Sequence, residues 1–201
     1  MRIETIDQLR TLYGFPSEKA IKKSLPELDE HSIHFIAKSP FFVLATGNED
    51  GTMDVSPRGG TPGFVQVLSS KQILIPDIKG NKRIDSLVNI IATGRVGTLF
   101  LIPGVDETLR INGRAYISTN QELLERYAER KNPPISSIVI EVEEVFIHCA
   151  KSFMRSKLWD QTTQIDRTDF PTIGQILKDQ LNTEGEPESQ EAMLKRYQGD
   201  L

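Results

Sequence analysis

Cysteine is almost missing from this chain. The single Cys149 rules out an intrachain disulfide and any four-thiolate metal site, and it fits a reducing compartment. A surplus of positive charge is missing too. Twenty-four Lys and Arg stand against 28 Asp and Glu, a net of -4, which speaks against the strongly basic face of a dedicated nucleic-acid binder. No apolar run approaches the roughly 20 residues of a membrane span. The opening residues, Met1 to Asp7, carry no apolar signal-peptide core, so a cytoplasmic protein is expected. Walker, Gly-x-Gly-x-x-Gly, Gly-x-Ser-x-Gly and His-Glu-x-x-His motifs are all absent. What is present is 201 residues, 38% hydrophobic and 26% charged, with a mean hydropathy of -0.32. That describes one ordinary folded domain.

The modest net charge conceals an uneven distribution. Residues 182–201 hold five acids (Glu184, Glu186, Glu188, Glu191, Asp200) against two bases, Lys195 and Arg196. Residues 57–95 hold six bases (Arg58, Lys71, Lys79, Lys82, Arg83, Arg95) against two acids, Asp77 and Asp85. A local excess of four positive charges in an acidic protein suggests an anion site.

The hydrophobic periodicity divides the chain in three. Residues 1–40 read as a helical segment packed on the domain, with helices led by Thr5, by Ser17 and by Asp29. Residues 41–160 read as short strands with turn punctuation: Phe41–Thr46, Thr52–Ser56, Phe64–Leu68, Gln72–Pro76, Val96–Ile102, Thr108–Ser118 and Ser137–His148. Two helices interrupt them, Arg83–Ala92 and Glu122–Arg130, and a third follows at Lys151–Leu158. Residues 161–201 form a helical tail with an amphipathic helix to Leu181, a polar linker and a last short helix. The expectation is an α+β fold with a closed antiparallel sheet of about six strands.

Four segments could carry chemistry. In Ile75-Pro-Asp-Ile-Lys-Gly-Asn-Lys-Arg83 a strand ends and a helix begins beside two adjacent cations. Helix N-termini offer unpaired N–H groups and partial positive charge, which favour a phosphate, and Asn81, Lys82 and Arg83 add donors there. The same residues would equally suit a capped surface helix with solvated cations. In Asp54-Val-Ser-Pro-Arg-Gly-Gly-Thr-Pro-Gly63, strand alternation puts Asp54 and Ser56 on one face. Arg58 is a second phosphate or ring contact, and the glycines would let a ligand approach the main chain. A plain Gly/Pro-rich connection explains that stretch as well. Arg110, Asn112 and Arg114 share one face of a strand that an anion or plain solvent could occupy. His148 and Cys149 are adjacent on a strand and point to opposite faces, which speaks against a nucleophile pair. His31 and His34, three apart on a helix, lack further ligands for a metal.

Taken together, Phe41-Phe-Val-Leu-Ala-Thr46, Asp54-Val-Ser-Pro-Arg-Gly59, Gly80-Asn-Lys-Arg83 and Val96-Gly-Thr-Leu-Phe100 resemble the pyridoxamine 5'-phosphate oxidase-like FMN-binding split-barrel family. Leu109-Arg-Ile-Asn-Gly-Arg-Ala115 and the stretch from His148 to Trp159 are similar to a bacterial subgroup of FMN-dependent enzymes. The resemblance covers residues 30–160. It implies a six-stranded antiparallel Greek-key split barrel with peripheral helices, working as a homodimer with FMN at the subunit interface. It places Asn81, Lys82 and Arg83 on the FMN phosphate, and Ser56 and Arg58 at the flavin or its phosphate. Pro76 and Asp77 fall where the family contacts the ring and ribityl chain, in place of its usual Tyr-Thr pair. Arg155 and Trp159 would reach the flavin from the second subunit. The Arg- and His-rich C-terminal signature of the true pyridoxamine phosphate oxidases is absent, and an acidic tail stands there instead.

The expected function is that of an FMN-dependent oxidoreductase acting on a small molecule. One alternative is a split-barrel protein that holds flavin or haem without turnover. Another is an interaction module whose basic segment meets an acidic partner.

Overall fold

The computed structural model describes residues 2–199; Met1 and the tail acid Asp200 lie outside the described residues. Helices α1 (Ile6–Tyr13), α2 (Glu18–Lys22) and α3 (Glu30–Lys38) come first. Strands β1 (Phe41–Gly47), β2 (Met53–Gly59), β3 (Gln66–Ser69) and β4 (Gln72–Asp77) precede helix α4 (Asp85–Thr93). Then come β5 (Arg95–Leu101), β6 (Thr108–Ser118), helix α5 (Gln121–Glu125) and the long β7 (Ser136–His148). Helices α6 (Lys151–Ser156), α7 (Ile173–Leu181) and α8 (Gln190–Gln198) complete the order. None of the described helices is long and apolar enough to cross a membrane.

All strand pairs are antiparallel, in the order β2-β1-β5-β6-β7-β4-β3. The chain is thus an α+β split barrel, with two corrections to the sequence expectation. Among the described residues the sheet has seven strands, and its ladder ends at β2 and β3 instead of closing. The reason lies in β3, which is only four residues long and follows a Gly/Pro-rich connection that turns Phe64 and Val65 into the core. The two edges are therefore left unstitched, and a cleft opens beside one of them.

Strict alternation builds the interior. Along β1, Phe42, Leu44 and Thr46 are buried while their neighbours are half-exposed. Phe42 stacks on Phe100 and Phe64 at centroid distances of 4.8 and 5.9 Å. Ile73, Ile75, Ile111, Ile138 and Ile140 complete the same core. A second, smaller cluster lies on the opposite face of β4 and β7, where Leu74 and Val139 pack against Tyr127 after α5. There the Tyr127 hydroxyl donates to the Leu74 carbonyl at 3.1 Å, and burial pushes its pKa up. A bulge at Glu143 of β7, opposite Asn112 and Gly113, shifts the register between β6 and β7. Gly113 is required at that point, because a Cβ there would collide with the Glu141 backbone.

Candidate functional site

The cleft follows from how β4 gives way to α4. After Asp77 the chain crosses an exposed loop in which Lys82 and Ile84 adopt left-handed backbone angles, φ 66° and 50°. The helix therefore starts at Asp85, two residues later than its periodicity suggests. The kink is real strain for Ile84, a β-branched residue at positive φ. Ile84 occupies the N-cap position and offers no side-chain cap, so the first-turn amides of α4 have no side-chain acceptor there. Gly94, also left-handed, closes the far end of the helix.

A cleft of about 340 Å³ lies between this loop, the first turn of α4 and the inward residues of β2, with Ile135 on its far wall. Its floor is a hydrogen-bonded network. Arg58 Nη1 donates to Asp77 Oδ1 at 3.0 Å, and Arg58 Nη2 donates to Ser86 Oγ at 3.2 Å. Ser86 Oγ in turn donates to Asp54 Oδ2 at 2.5 Å. Because that hydroxyl has one proton, already committed to Asp54, the 3.0 Å contact with Ser56 must be Ser56 donating to Ser86. Arg58 Nε is buried and has no hydrogen-bond partner among the described residues.

The rim carries further charge. Arg83 Nε pairs with Asp85 Oδ2 at 2.8 Å, and this hydrogen bond raises the arginine's pKa. Asn81 Oδ1 accepts from the Arg83 backbone N–H at 3.1 Å. Lys79 and Lys82 make no ion pair among the described residues. Four cations thus meet three carboxylates in the cleft lining, and two of the cations remain uncommitted.

Of the nine residues singled out in the sequence, six line this cleft: Ser56, Arg58, Asp77, Asn81, Lys82 and Arg83. Pro76 is buried in β4 opposite Ser137 and is not part of the lining. Arg155 lies on α6, and Trp159 donates from Nε1 to the Val105 carbonyl at 3.0 Å while stacking on Phe153. Neither lines the cleft within the same chain. In the β2–β3 connection Gly63 meets a left-handed backbone, φ 88°, while Gly60 serves packing. A Cβ on Gly60 would lie 2.8 Å from the Phe64 ring, so that residue is small to admit a core aromatic. Ser86 was missed. Its only signal was its place in the first turn after Gly80-Asn-Lys-Arg83, and its partner Asp54 lies 32 residues away.

The fold is an antiparallel split barrel with an uncapped helix start over a cleft rich in cations. The family profile for pyridoxamine 5'-phosphate oxidase matches residues 28–149, and the chain belongs to that family. No curated protein sequence matches it. Among solved structures, HupZ of Group A Streptococcus is 17% identical, with 60% of this chain and 93% of that chain covered and a TM-score of 0.51. At that identity the likeness is one of fold. An FMN-binding protein from Syntrophomonas wolfei is 10% identical, covering 72% of this chain and 97% of its own, with a TM-score of 0.45.

Proposed function

We propose that this chain is an FMN-binding oxidoreductase of the pyridoxamine 5'-phosphate oxidase family, acting on a small molecule as a homodimer. The observation that carries this reading is the gathering of Arg58, Lys79, Lys82 and Arg83 around a cleft roofed by the uncapped start of α4. A phosphate would suit this place, because it accepts from cationic side chains and from helix amides together. Lys82 and Arg83 would neutralise its charge from the rim, Asn81 would hold the loop, and Ser56 and Ser86 would supply hydroxyls. Asp77 keeps Arg58 aimed. Bound FMN supplies the redox chemistry, accepting and delivering a hydride. The protein's part is to hold, orient and shield it.

Dimerisation is supported by apolar surface next to the cleft. Val88 and Ile91 on α4, Met53 and Val55 on β2, and Tyr116 on β6 all stand exposed. A second copy seated there would bring Arg155 and Trp159 within reach of the flavin. Such a protein would work in the cytoplasm, consistent with its one exposed thiol.

A second reading, a holder of flavin without turnover, is favoured by one feature. Each carboxylate of the cleft already accepts from a cleft donor, Asp54 from Ser86, Asp77 from Arg58 and Asp85 from Arg83. None is left as an uncommitted general base. Haem fits the cleft poorly, since among the described residues no His, Cys, Met or Tyr lines it to serve as an axial ligand.

Purified protein should bind FMN with flavin absorbance bands. Lys82→Ala with Arg83→Ala should weaken FMN by about 10- to 100-fold, the worth of one or two charge-assisted contacts, and leave riboflavin nearly unaffected. Failure of FMN to bind, or equal loss for both flavins, would remove the reading. Reduction of the bound flavin by a nicotinamide donor separates the oxidoreductase from the passive holder.

A further inference from the structure

Two parts of the chain carry apolar faces that nothing among the described residues covers. The first is the N-terminal arm, residues 2–22. Among the described residues, each of its hydrogen bonds and ion pairs closes locally, from the Thr5–Gln8 capping box to the Lys22–Glu18 pair. It buries no side chain. Yet α1 is patterned to pack: Ile6, Leu9 and Tyr13 form one stripe, flanked by Leu12 and Phe15, at 44 to 82% exposure. A helix of eight residues is too short to persist without such packing. Side chains of these sizes leave on the order of several hundred Å² of apolar surface, more than a monomer ordinarily keeps bare. The chain is first tied to the barrel at Lys23, over the Phe146 ring, and at Ser24, which donates to Glu144 Oε1 at 2.6 Å; Leu25 then exchanges backbone hydrogen bonds of 2.9 and 2.8 Å with Val145, so the arm projects from there.

The second part is the C-terminal helical pair. Gly174 of α7 lets the Glu188 backbone approach so closely that a Cβ would collide with it, which locks α7 to the start of α8. Lys131 Nζ donates to the Gln198 carbonyl at 3.4 Å and ties α8 to the turn before β7. The pair is therefore held, but Phe170, Ile173, Leu177 and Leu181 remain exposed along it.

The charges of the two parts are opposite. Residues 2–23 carry five bases and three acids, whereas residues 160–199 carry eight acids and four bases. We propose that the arm of one copy docks its α1 stripe on the α7 face of a second copy. Each chain carries both halves of the contact, so a two-fold arrangement makes it twice and closes. Opposite charge selects this pairing over arm on arm or tail on tail. The contact is independent of flavin binding and can be tested without it.

The test uses full-length chains in a Cys149→Ser background. One chain carries Leu12→Cys and the other Leu177→Cys, with different tags. The two are co-expressed and treated with a short bis-maleimide. Both substituted positions are exposed, so folding should be preserved. The expected product is a covalent dimer containing one chain of each kind, lost when Leu9→Asp is added to the arm and reduced as salt is raised. Leu12→Cys or Leu177→Cys expressed alone should give little product. A strong Leu12–Leu12 product, no mixed dimer, or a single chain bearing both cysteines that links only to itself would each overturn the proposal.

Discussion

Replacing Arg58 separates what holds the cleft together from what the cleft is for. Arg58→Met removes the guanidinium but keeps the length and volume of its stem. Asp77, whose side chain is 11% exposed, then keeps its charge without the 3.0 Å hydrogen bond that now satisfies it. Stranding one partner of a buried pair costs about 3–5 kcal/mol. Here Arg58 is itself 25% exposed, which draws the expected loss to about 3 kcal/mol or slightly less. That is about two powers of ten in the folding equilibrium. Adding Asp77→Asn removes the stranded charge, so the double variant should recover to within about 1 kcal/mol of the parent, the usual worth of the remaining hydrogen bonds. FMN affinity should behave differently. Both Arg58 variants lose the phosphate contact and should bind FMN about 10- to 100-fold more weakly. Urea unfolding of the four members of the cycle gives the coupling energy, and fluorescence titration gives the affinities. A double variant as unstable as Arg58→Met would refute the buried-charge argument. A double variant that is stable and binds FMN like the parent would refute the assignment of Arg58 to the ligand.

Two other outcomes follow from the barrel. Gly113→Ala places a methyl group against the Glu141 backbone at the bulge, where no flexible side chain can yield. It should cost about 3 kcal/mol, or roughly 6–12 °C in Tm for a chain of this size, and an unchanged Tm would show that the bulge relaxes freely. His148 is held below the ordinary imidazole value of 6.5, first by burial and then by the nearby charges of Arg110 and Lys23. The unfolded chain therefore binds more protons as pH falls, so this contribution is complete above about pH 6.5 and is lost as pH drops through the lower folded value. His148→Gln should flatten that step in urea midpoints measured from pH 7 to 5. Glu144 is held below 4.5, chiefly by the Ser24 hydroxyl, and does not titrate within that window.

Local pattern made much of the barrel legible. Alternation located every strand to within a few residues, and Asn48-Glu-Asp-Gly51, Thr5, Asp29 and Asn120 marked turns and caps that the structure contains. Element ends were less legible. The helix after β4 starts at Asp85 because Lys82 and Ile84 turn left-handed, a choice imposed by the join to β2 and invisible to a 3.6-residue period. Likewise α5 stops at Glu125, because Tyr127 turns inward to reach the Leu74 carbonyl. Barrel closure could not be read either, since it depends on whether two edges meet.

The candidate site divides in the same way. Its cations were visible as a local excess of positive charge between residues 57 and 95, because charge and helix-start chemistry are properties of neighbouring residues. The sequence by itself therefore determined the strand content, the presence of a single thiol and the segment where cations gather. Tertiary structure alone decided that Arg58 is aimed by Asp77 and Ser86, that its Nε has no hydrogen-bond partner among the described residues, and that Pro76 is walled off behind β7. Those facts arise from contacts across 19 to 61 residues of chain, and only folding brings such groups within hydrogen-bond range.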